Sequence, residues 1–269
     1  MFTTSNDTNL RKLLDLNEYK FYYYMPNSEV EDNNLGYFIK NKSIETYSYI
    51  APTPKGDLDF EDFINYAFSY FKDGQEYFVV KIYLNDTFRR NSKLLRERNF
   101  IQYPIDTSIM SWENESKNKL VPDKEIELHL LTQKNSRRWV DVFFDAFSYP
   151  LHLKKYIVEM VEEQLKSGIE FYVGRKFGKD ISCFCAFEHE GFVGFYGVGT
   201  KKRFRRQGYA SKIMSNYMLE KLEKKPEIRF CLQAQTNSGA EQLYRNLGFT
   251  IPFIQKRFDW DPSSCNLSL

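Results

Sequence analysis

The chain has 269 residues, at the upper edge of what one hydrophobic core supports, so two domains or one large one are expected. Apolar residues make up 42% and charged residues 28%, a mix that excludes a disordered chain. With 38 Lys and Arg against 36 Asp and Glu, the formal charge is +2, so the overall field points to neither nucleic acid nor membrane as partner and any basic site must be local.

No apolar run approaches the roughly 20 residues of a membrane-spanning helix. The first residues, Met1-Phe2-Thr3-Thr4-Ser5-Asn6-Asp7, lack the basic and then apolar layout of a secretion signal, and a cytoplasmic protein is expected. Cys183, Cys185, Cys231 and Cys265 are too few for a disulfide scaffold and read as reduced, three of them packed in a core. His129, His152 and His189 have no metal-binding spacing, so no metal is expected.

In chain order, Asn65-Tyr66 sits in a helix, residues 77–84 read as a strand, and Leu94-Leu95-Arg96-Glu97-Arg98-Asn99-Phe100 closes a second helix. A polar stretch with a proline, residues 113–123, is the best boundary between two apolar halves. Beyond it, residues 126–133 read as a strand, 136–147 and 153–166 as helices, and 169–173, 181–187 and 192–198 as strands, the last two joined by a tight turn at 188–191. A helix follows at 208–224, its buried stripe carried by Ala210, Ile213, Met214 and Tyr217. Residues 228–235 are a strand. A short helix then starts at the capping box Ser238-Gly239-Ala240-Glu241, and strands at 250–254 and 257–260 end the chain. This order gives a mixed α/β sheet. Asn216-Tyr217 follows Asn65-Tyr66 by 151 residues and Arg245 follows Arg96 by 149, the signature of a tandem duplication.

Glycines 191, 194, 197 and 199 crowd one strand, which makes sense where something must approach the backbone closely. Immediately beyond lies the basic run Thr200-Lys201-Lys202-Arg203-Phe204-Arg205-Arg206-Gln207-Gly208-Tyr209-Ala210, ending in a glycine at a helix start. Free N–H groups and the helix dipole make such a start an anion site. By residue type alone, the run serves a phosphate, a nucleic-acid patch or a solvated helix start. Tyr244 reads either as a core aromatic or as a site residue, and Asn237 as a turn residue or a ligand contact.

Arg205-Arg206-Gln207-Gly208-Tyr209-Ala210 resembles the Arg/Gln-x-x-Gly-x-Gly/Ala signature of the GNAT superfamily of acyl-CoA-dependent N-acyltransferases, with Val198-Gly199-Thr200 ahead of it. Downstream, Asn237 and Leu243-Tyr244-Arg245-Asn246-Leu247-Gly248-Phe249 resemble the same family's Asn…Leu-Tyr-x-x-x-Gly-Phe segment. The resemblance covers roughly residues 125–260. It implies an α/β (α+β) fold of two tandem GNAT-like domains, each a mixed, mostly antiparallel sheet flanked by helices. Residues 1–118 would be a degenerate domain without cofactor and residues 119–269 the catalytic one.

It further implies that Val198, Gly199 and Thr200 pair with the pantetheine arm of acetyl-CoA. Backbone amides of Arg206, Gln207, Gly208, Tyr209, Ala210 and Ser211 would hold the pyrophosphate, Arg205 would add field, and Asn237 would touch the cofactor arm. Tyr244 would be the general acid, because a phenol with pKa about 10 can protonate a departing thiolate of pKa about 8.5. The acceptor would be a primary amine that attacks the thioester directly. Neutralising an alkylammonium at pH 7 costs about 4.6 kcal/mol, yet Glu188 and Glu190 lie too far along the hairpin and Gln233 and Gln235 accept no proton usefully, so no base is assigned. A GNAT-like scaffold that binds CoA or a partner without turnover is the competing expectation.

In the first half the stretch aligned with the phosphate loop, Pro52-Thr53-Pro54-Lys55-Gly56-Asp57-Leu58-Asp59, sets carboxylates where pyrophosphate belongs and loses N–H donors to proline. Leu95 stands where the second half has Tyr244, and the opening strand and helices are expected to be missing. Aromatic residues are unusually frequent, at 17% of the chain, and those of the first half, including Tyr22, Tyr23, Tyr24, Tyr47 and Tyr49, are expected to form either a core or a wall of the acceptor pocket.

Overall fold

The computed structural model describes residues 5–41, 49–52, 59–72 and 76–263. Tyr47, Cys265, residues 53–58 and the side chain of Tyr49 lie outside this description. The chain divides into two compact units, the first Met1–Ile109, Ala234–Thr236 and Ile251–Leu269, the second Met110–Gln233 and Asn237–Thr250. The first break thus falls at 109/110 rather than 118/119, and the last strand belongs with the first unit.

The elements in chain order are α1 (Ser5–Tyr23), β1 (Ser28–Asp32), β2 (Gly36–Asn41), β3 (Tyr49–Pro52), α2 (Phe60–Tyr70), β4 (Phe78–Tyr83), α3 (Phe88–Glu97), β5 (Ile101–Gln102) and β6 (Thr107–Trp112). There follow β7 (Glu127–Leu130), α4 (Arg137–Phe147), α5 (Lys154–Lys166), β8 (Glu170–Lys176), β9 (Lys179–His189), β10 (Phe192–Thr200), α6 (Tyr209–Lys224), β11 (Arg229–Gln235), α7 (Gly239–Asn246) and β12 (Thr250–Trp260). The two strands read at 250–254 and 257–260 are thus one. Both units are mixed α/β, with mostly antiparallel sheets.

In the first unit β1 to β3 pair antiparallel, β4 lies parallel to β3 across the α2 crossover, and β12 closes antiparallel on β4 with Gln255 opposite Tyr83 and Trp260 opposite Phe78. The expectation that this half lacks opening helices is corrected by α1, 19 residues long. Its apolar stripe is broken by buried Asp15, Asn17 and Glu18 beside Leu14 and Tyr19, which hides the helical period from a sequence reader. The aromatic excess is largely core. Phe38, Phe63, Phe71, Phe78 and Phe258 are fully buried, and the Phe71 and Phe78 rings stack with centroids 4.7 Å apart. Tyr22 packs on a cluster around Tyr19, whereas Tyr23 is exposed.

In the second unit the order is β11-β10-β9-β8-β7, and only β10 and β11 run parallel. The tight turn between β9 and β10 is Glu190-Gly191, both at positive φ. On one face Trp139 of α4 packs edge-on to Phe171 and donates its indole N–H to Phe184 O at 3.0 Å. On the other, Tyr217 of α6 packs on Tyr172, Phe184 and Phe195. Cys183 and Cys185 are buried and free, and burial pushes both thiols up, as packing residues require. The polar stretch read as a linker is fastened to this unit: Ser116 bonds to Gly248 O, Asp123 N–H to Asn216 Oδ1 and the Asp123 carboxylate to Lys212.

One buried carboxyl in the first unit, that of Asp15, is held in a polar cluster. Tyr83 Oη donates to Asp15, Gln255 lies 3.5 Å from the same carboxyl oxygen, and Glu18 pairs with Lys81 alongside. Burial pushes the Asp15 carboxyl up from 3.8 to about 7 against the opposing Tyr83 hydrogen bond. The folded protein then holds a proton that the unfolded chain releases, so stability falls as pH rises from about 4 to about 7 and levels off above. Asp15→Asn keeps the acceptor for Tyr83 and removes the charge. In urea titrations at pH 8 it should be more stable than wild type by about 2–4 kcal/mol, with the gain gone below pH 4; equal stability at pH 8 would show that Asp15 ionises without penalty.

Candidate active site

The parallel register of β10 with β11 runs from Phe192 opposite Arg229 to Phe195 opposite Leu232, and Val198, Gly199 and Thr200 lie beyond it. Between Tyr196 and Gly199 the pairing of β10 with β9 shifts through a bulge, with Gly197 at φ 59°. The bulge resets the alternation of the strand: Phe195 faces α6, but Gly197 and Gly199 both face α4. A Cβ on Gly197 would lie 2.8 Å from Trp139, and one on Gly199 would lie 2.9 Å from both Ala146 and Phe147. Helix α4 is therefore the close neighbour that these two glycines admit.

The loop after β10 is tied back at both ends. Lys201 N–H donates to Ile181 O at 2.9 Å, and Lys202 N–H to the Asp145 carboxylate at 2.6 Å. The Arg205 guanidinium bonds to Ala146 O, one of the open carbonyls at the end of α4, and its Nε to Thr200 O at 3.4 Å. Arg205 thus joins strand and helix, where the sequence suggested a free contribution to the field. Arg206 and then Gly208 take positive φ, 63° and 73°, and Gly208 is the N-cap of α6. Having no side chain, Gly208 leaves the first N–H groups of α6 open to an outside anion. Its carbonyl accepts from Lys212 N–H at 3.1 Å and Ser211 Oγ at 2.8 Å.

Helix α7 starts close by. Ser238 Oγ accepts from Glu241 N–H at 3.1 Å, and the Glu241 carboxylate reaches back to Asn237 N–H at 2.9 Å, so the box bonds one residue earlier than a strict capping box. Asn237 sits at φ 60° with its side chain exposed.

These pieces enclose a cleft of about 460 Å³. Of the residues singled out from sequence, Val198, Gly199, Thr200, Arg205, Arg206, Gly208, Tyr209 and Ala210 line it, and Gln207, Ser211, Asn237 and Tyr244 do not. Gln207 is exposed beside the cleft, and Ser211 bonds back to Gly208. Tyr244 is buried under α7, 7% exposed, with its ring edge-on to Phe249. Burial pushes its phenol up, so it holds its proton throughout the neutral range but gives it up less readily than a free tyrosine. Glu188 bonds to Lys225 and faces Val193 at the opposite end of β10 from Thr200, which removes it as a base for this cleft. Sequence reading missed Ala146 and Phe147, the wall supplied by α4, together with Phe204, Gly239, Ala240 and Leu243. Two glycines in a strand that needed a close neighbour were the available signal for the α4 wall.

The first unit has its own pocket of about 270 Å³, at the start of α2 and along α3. Asp59, Phe60, Glu61, Arg90, Asn91 and Leu94 line it, each 149 residues ahead of Gly208, Tyr209, Ala210, Gly239, Ala240 and Leu243. The Asp59 carboxylate caps α2, accepting from Glu61 N–H at 2.8 Å. Among the described residues no cluster of three or more His, Cys, Asp or Glu is placed to hold a metal ion, and no helix is long and apolar enough to cross a membrane.

Residues 167–251 match the acetyltransferase (GNAT) domain family. No curated protein matches the sequence. Among solved structures, a GCN5-related N-acetyltransferase from Kribbella flavida superposes with a TM-score of 0.64 at 14% identity, covering 93% of this chain and 95% of that one. A tandem GNAT protein from the clavulanic acid biosynthesis pathway gives 0.64 at 6% identity, covering 87% and 83%. A conserved protein of unknown function from Staphylococcus epidermidis gives 0.61 at 12%, covering 88% and 95%. At these identities the likeness is one of fold. The cleft between β10, α6 and α7 thus lies largely within the segment that matches the GNAT domain family, and the fold around it is one shared with a tandem GNAT protein.

Proposed function

We propose that this chain is an acyl-CoA-dependent N-acyltransferase that moves an acetyl group from acetyl-CoA to a primary amine by direct attack, with the chemistry carried by residues 119–269. The observation that carries the reading is the cleft, in which a strand end no longer paired with β11, residues 198–200, meets an uncapped helix start at Gly208. That pairing suits a ligand with an amide-bearing arm and a pyrophosphate: the strand end offers backbone partners to the arm, and the α6 N–H groups to the phosphates. Arg206 to Ser211 would supply those amides and Asn237 would touch the arm. No metal is called for.

The amine nitrogen would form the new bond to the thioester carbonyl carbon and lose its extra proton to solvent water, the carbon–sulfur bond would break, and the departing thiolate would take a proton. Tyr244 is our candidate donor. Its burial supports a permanently protonated phenol, but proton transfer to a thiolate of pKa about 8.5 is uphill from it. That burial, behind the cleft wall, is also what favours a second reading, a CoA-binding scaffold without turnover. The first unit, whose corresponding pocket is capped by its own Asp59, would take no cofactor.

Calorimetric titration with acetyl-CoA should show one site per chain, and two sites would mean that the first unit also binds. Gly208→Glu puts a carboxylate on the open helix start, at a positive φ that glutamate tolerates poorly. It should weaken acetyl-CoA binding at least about 100-fold while the far-ultraviolet circular dichroism is retained; unchanged affinity would remove the phosphate loop from this reading. With an amine acceptor in hand, Tyr244→Phe should lower kcat by about 100-fold and leave the Kd for acetyl-CoA unchanged. Equal turnover would exclude Tyr244 as the acid.

A further inference from the structure

Phe177 is a side chain that its own backbone disfavours. It forms with Gly178 the two-residue turn between β8 and β9, where Lys176 pairs with Lys179, and both turn residues have positive φ, 53° and 68°. Turns of this kind call for Asn or Asp before Gly, because a bulky side chain at positive φ crowds its own carbonyl. Nor does burial offset the crowding, for Phe177 is 78% exposed. The turn is nonetheless fixed, with Arg175 Nη2 donating to Gly178 O at 2.8 Å. Strain of this kind at an exposed ring, offset locally only by the Lys176 ammonium 5.3 Å from its centroid, points to a further use for the ring.

Two lysines lie between the open start of α6 and this ring. The Lys212 Cε atom is 4.0 Å from where a Cβ on Gly208 would lie, and its Nζ is 5.8 Å from the Tyr209 ring centroid. Lys176 Nζ is 5.9 Å from that same centroid and 5.3 Å from the Phe177 ring. Both lysines pair with Asp123, at 3.0 and 3.3 Å, and Lys176 also with Glu125 at 2.8 Å. These pairs hold the ammonium groups in place and leave the patch close to neutral, which suits a flat, uncharged ring better than a further phosphate.

We propose that Phe177 is a stacking platform for the adenine ring of bound acyl-CoA, reached from the Gly208 phosphate site past Tyr209. The inference rests on the acyl-CoA reading above. Any adenine offers a π-face to an aromatic side chain, and the neighbouring cation strengthens the contact.

Phe177→Asn tests this without damaging the turn, since Asn-Gly is what that turn prefers. By calorimetry the variant should bind acetyl-CoA about tenfold more weakly, as loss of one base–aromatic stack implies. It should bind acetyl-pantetheine, which has no adenine, as wild type does, and its melting temperature should equal or exceed that of wild type. Phe177→Tyr should restore wild-type affinity for acetyl-CoA. Wild-type affinity for acetyl-CoA in Phe177→Asn, or an equal loss for both ligands, would overturn the platform alone. A wild-type protein that binds neither ligand would overturn the acyl-CoA reading and the platform with it.

Discussion

The parallel pairing of β10 with β11 ends at Phe195 and Leu232, and the site of the second unit depends on that end. A strand that stayed paired with β11 as far as Thr200 would have no backbone left on that edge for a ligand; here the strand passes through a bulge at residues 196–199 and stays paired with β9 to Thr200. Helix α4 then lies so close that a methyl group on Gly197 or Gly199 would strike it. Arg205 and Asp145 fasten the end of α4 to the following loop, so wall, strand end and loop are held together. The open start of α6 is presented within that frame.

The two halves of the sequence repeat one local plan. Strand, helix and strand recur as β4-α3-β5 and β11-α7-β12, each preceded by a parallel strand pair with a crossover helix. Even the helix ends agree: Phe100 N–H bonds to Leu95 O at 2.9 Å and Phe249 N–H to Tyr244 O at 3.0 Å, while Asn99 and Gly248 both take positive φ. Shared backbone geometry with altered side chains is what a duplication followed by divergence leaves behind.

Much of this was legible in the sequence, and the failures have physical causes. The strands and helices of the second unit are readable because their apolar residues face one sheet or one helix, and the Arg205–Ala210 signature marks the helix start directly. The opening helix was not legible because Asp15, Asn17 and Glu18 are buried within it and break its period. Residues 113–123 look like a linker because their polar side chains bond to α6 and to the end of α7, contacts distant in sequence. The α4 wall was invisible for the same reason, since Ala146 and Phe147 lie more than 50 residues from Gly199 in the chain. The glycine crowding of β10 is plain in the sequence, but what it admits at Gly197 and Gly199 is a protein helix.

The starts of α2 and α6 differ in a way that reaches beyond binding. Helix α2 is closed by its own Asp59 carboxylate, whereas α6 begins at a bare glycine. A helix end satisfied from within is indifferent to the solution, but one left open is stabilised by whatever anion binds it, by about 2.7 kcal/mol at a hundredfold excess over Kd. On the acyl-CoA reading, the first unit would have a stability written in its sequence, and the second would have one that rises and falls with the supply of its donor. The protein's resistance to unfolding and proteolysis would then report on acyl-CoA abundance through Gly208, before any acceptor arrives.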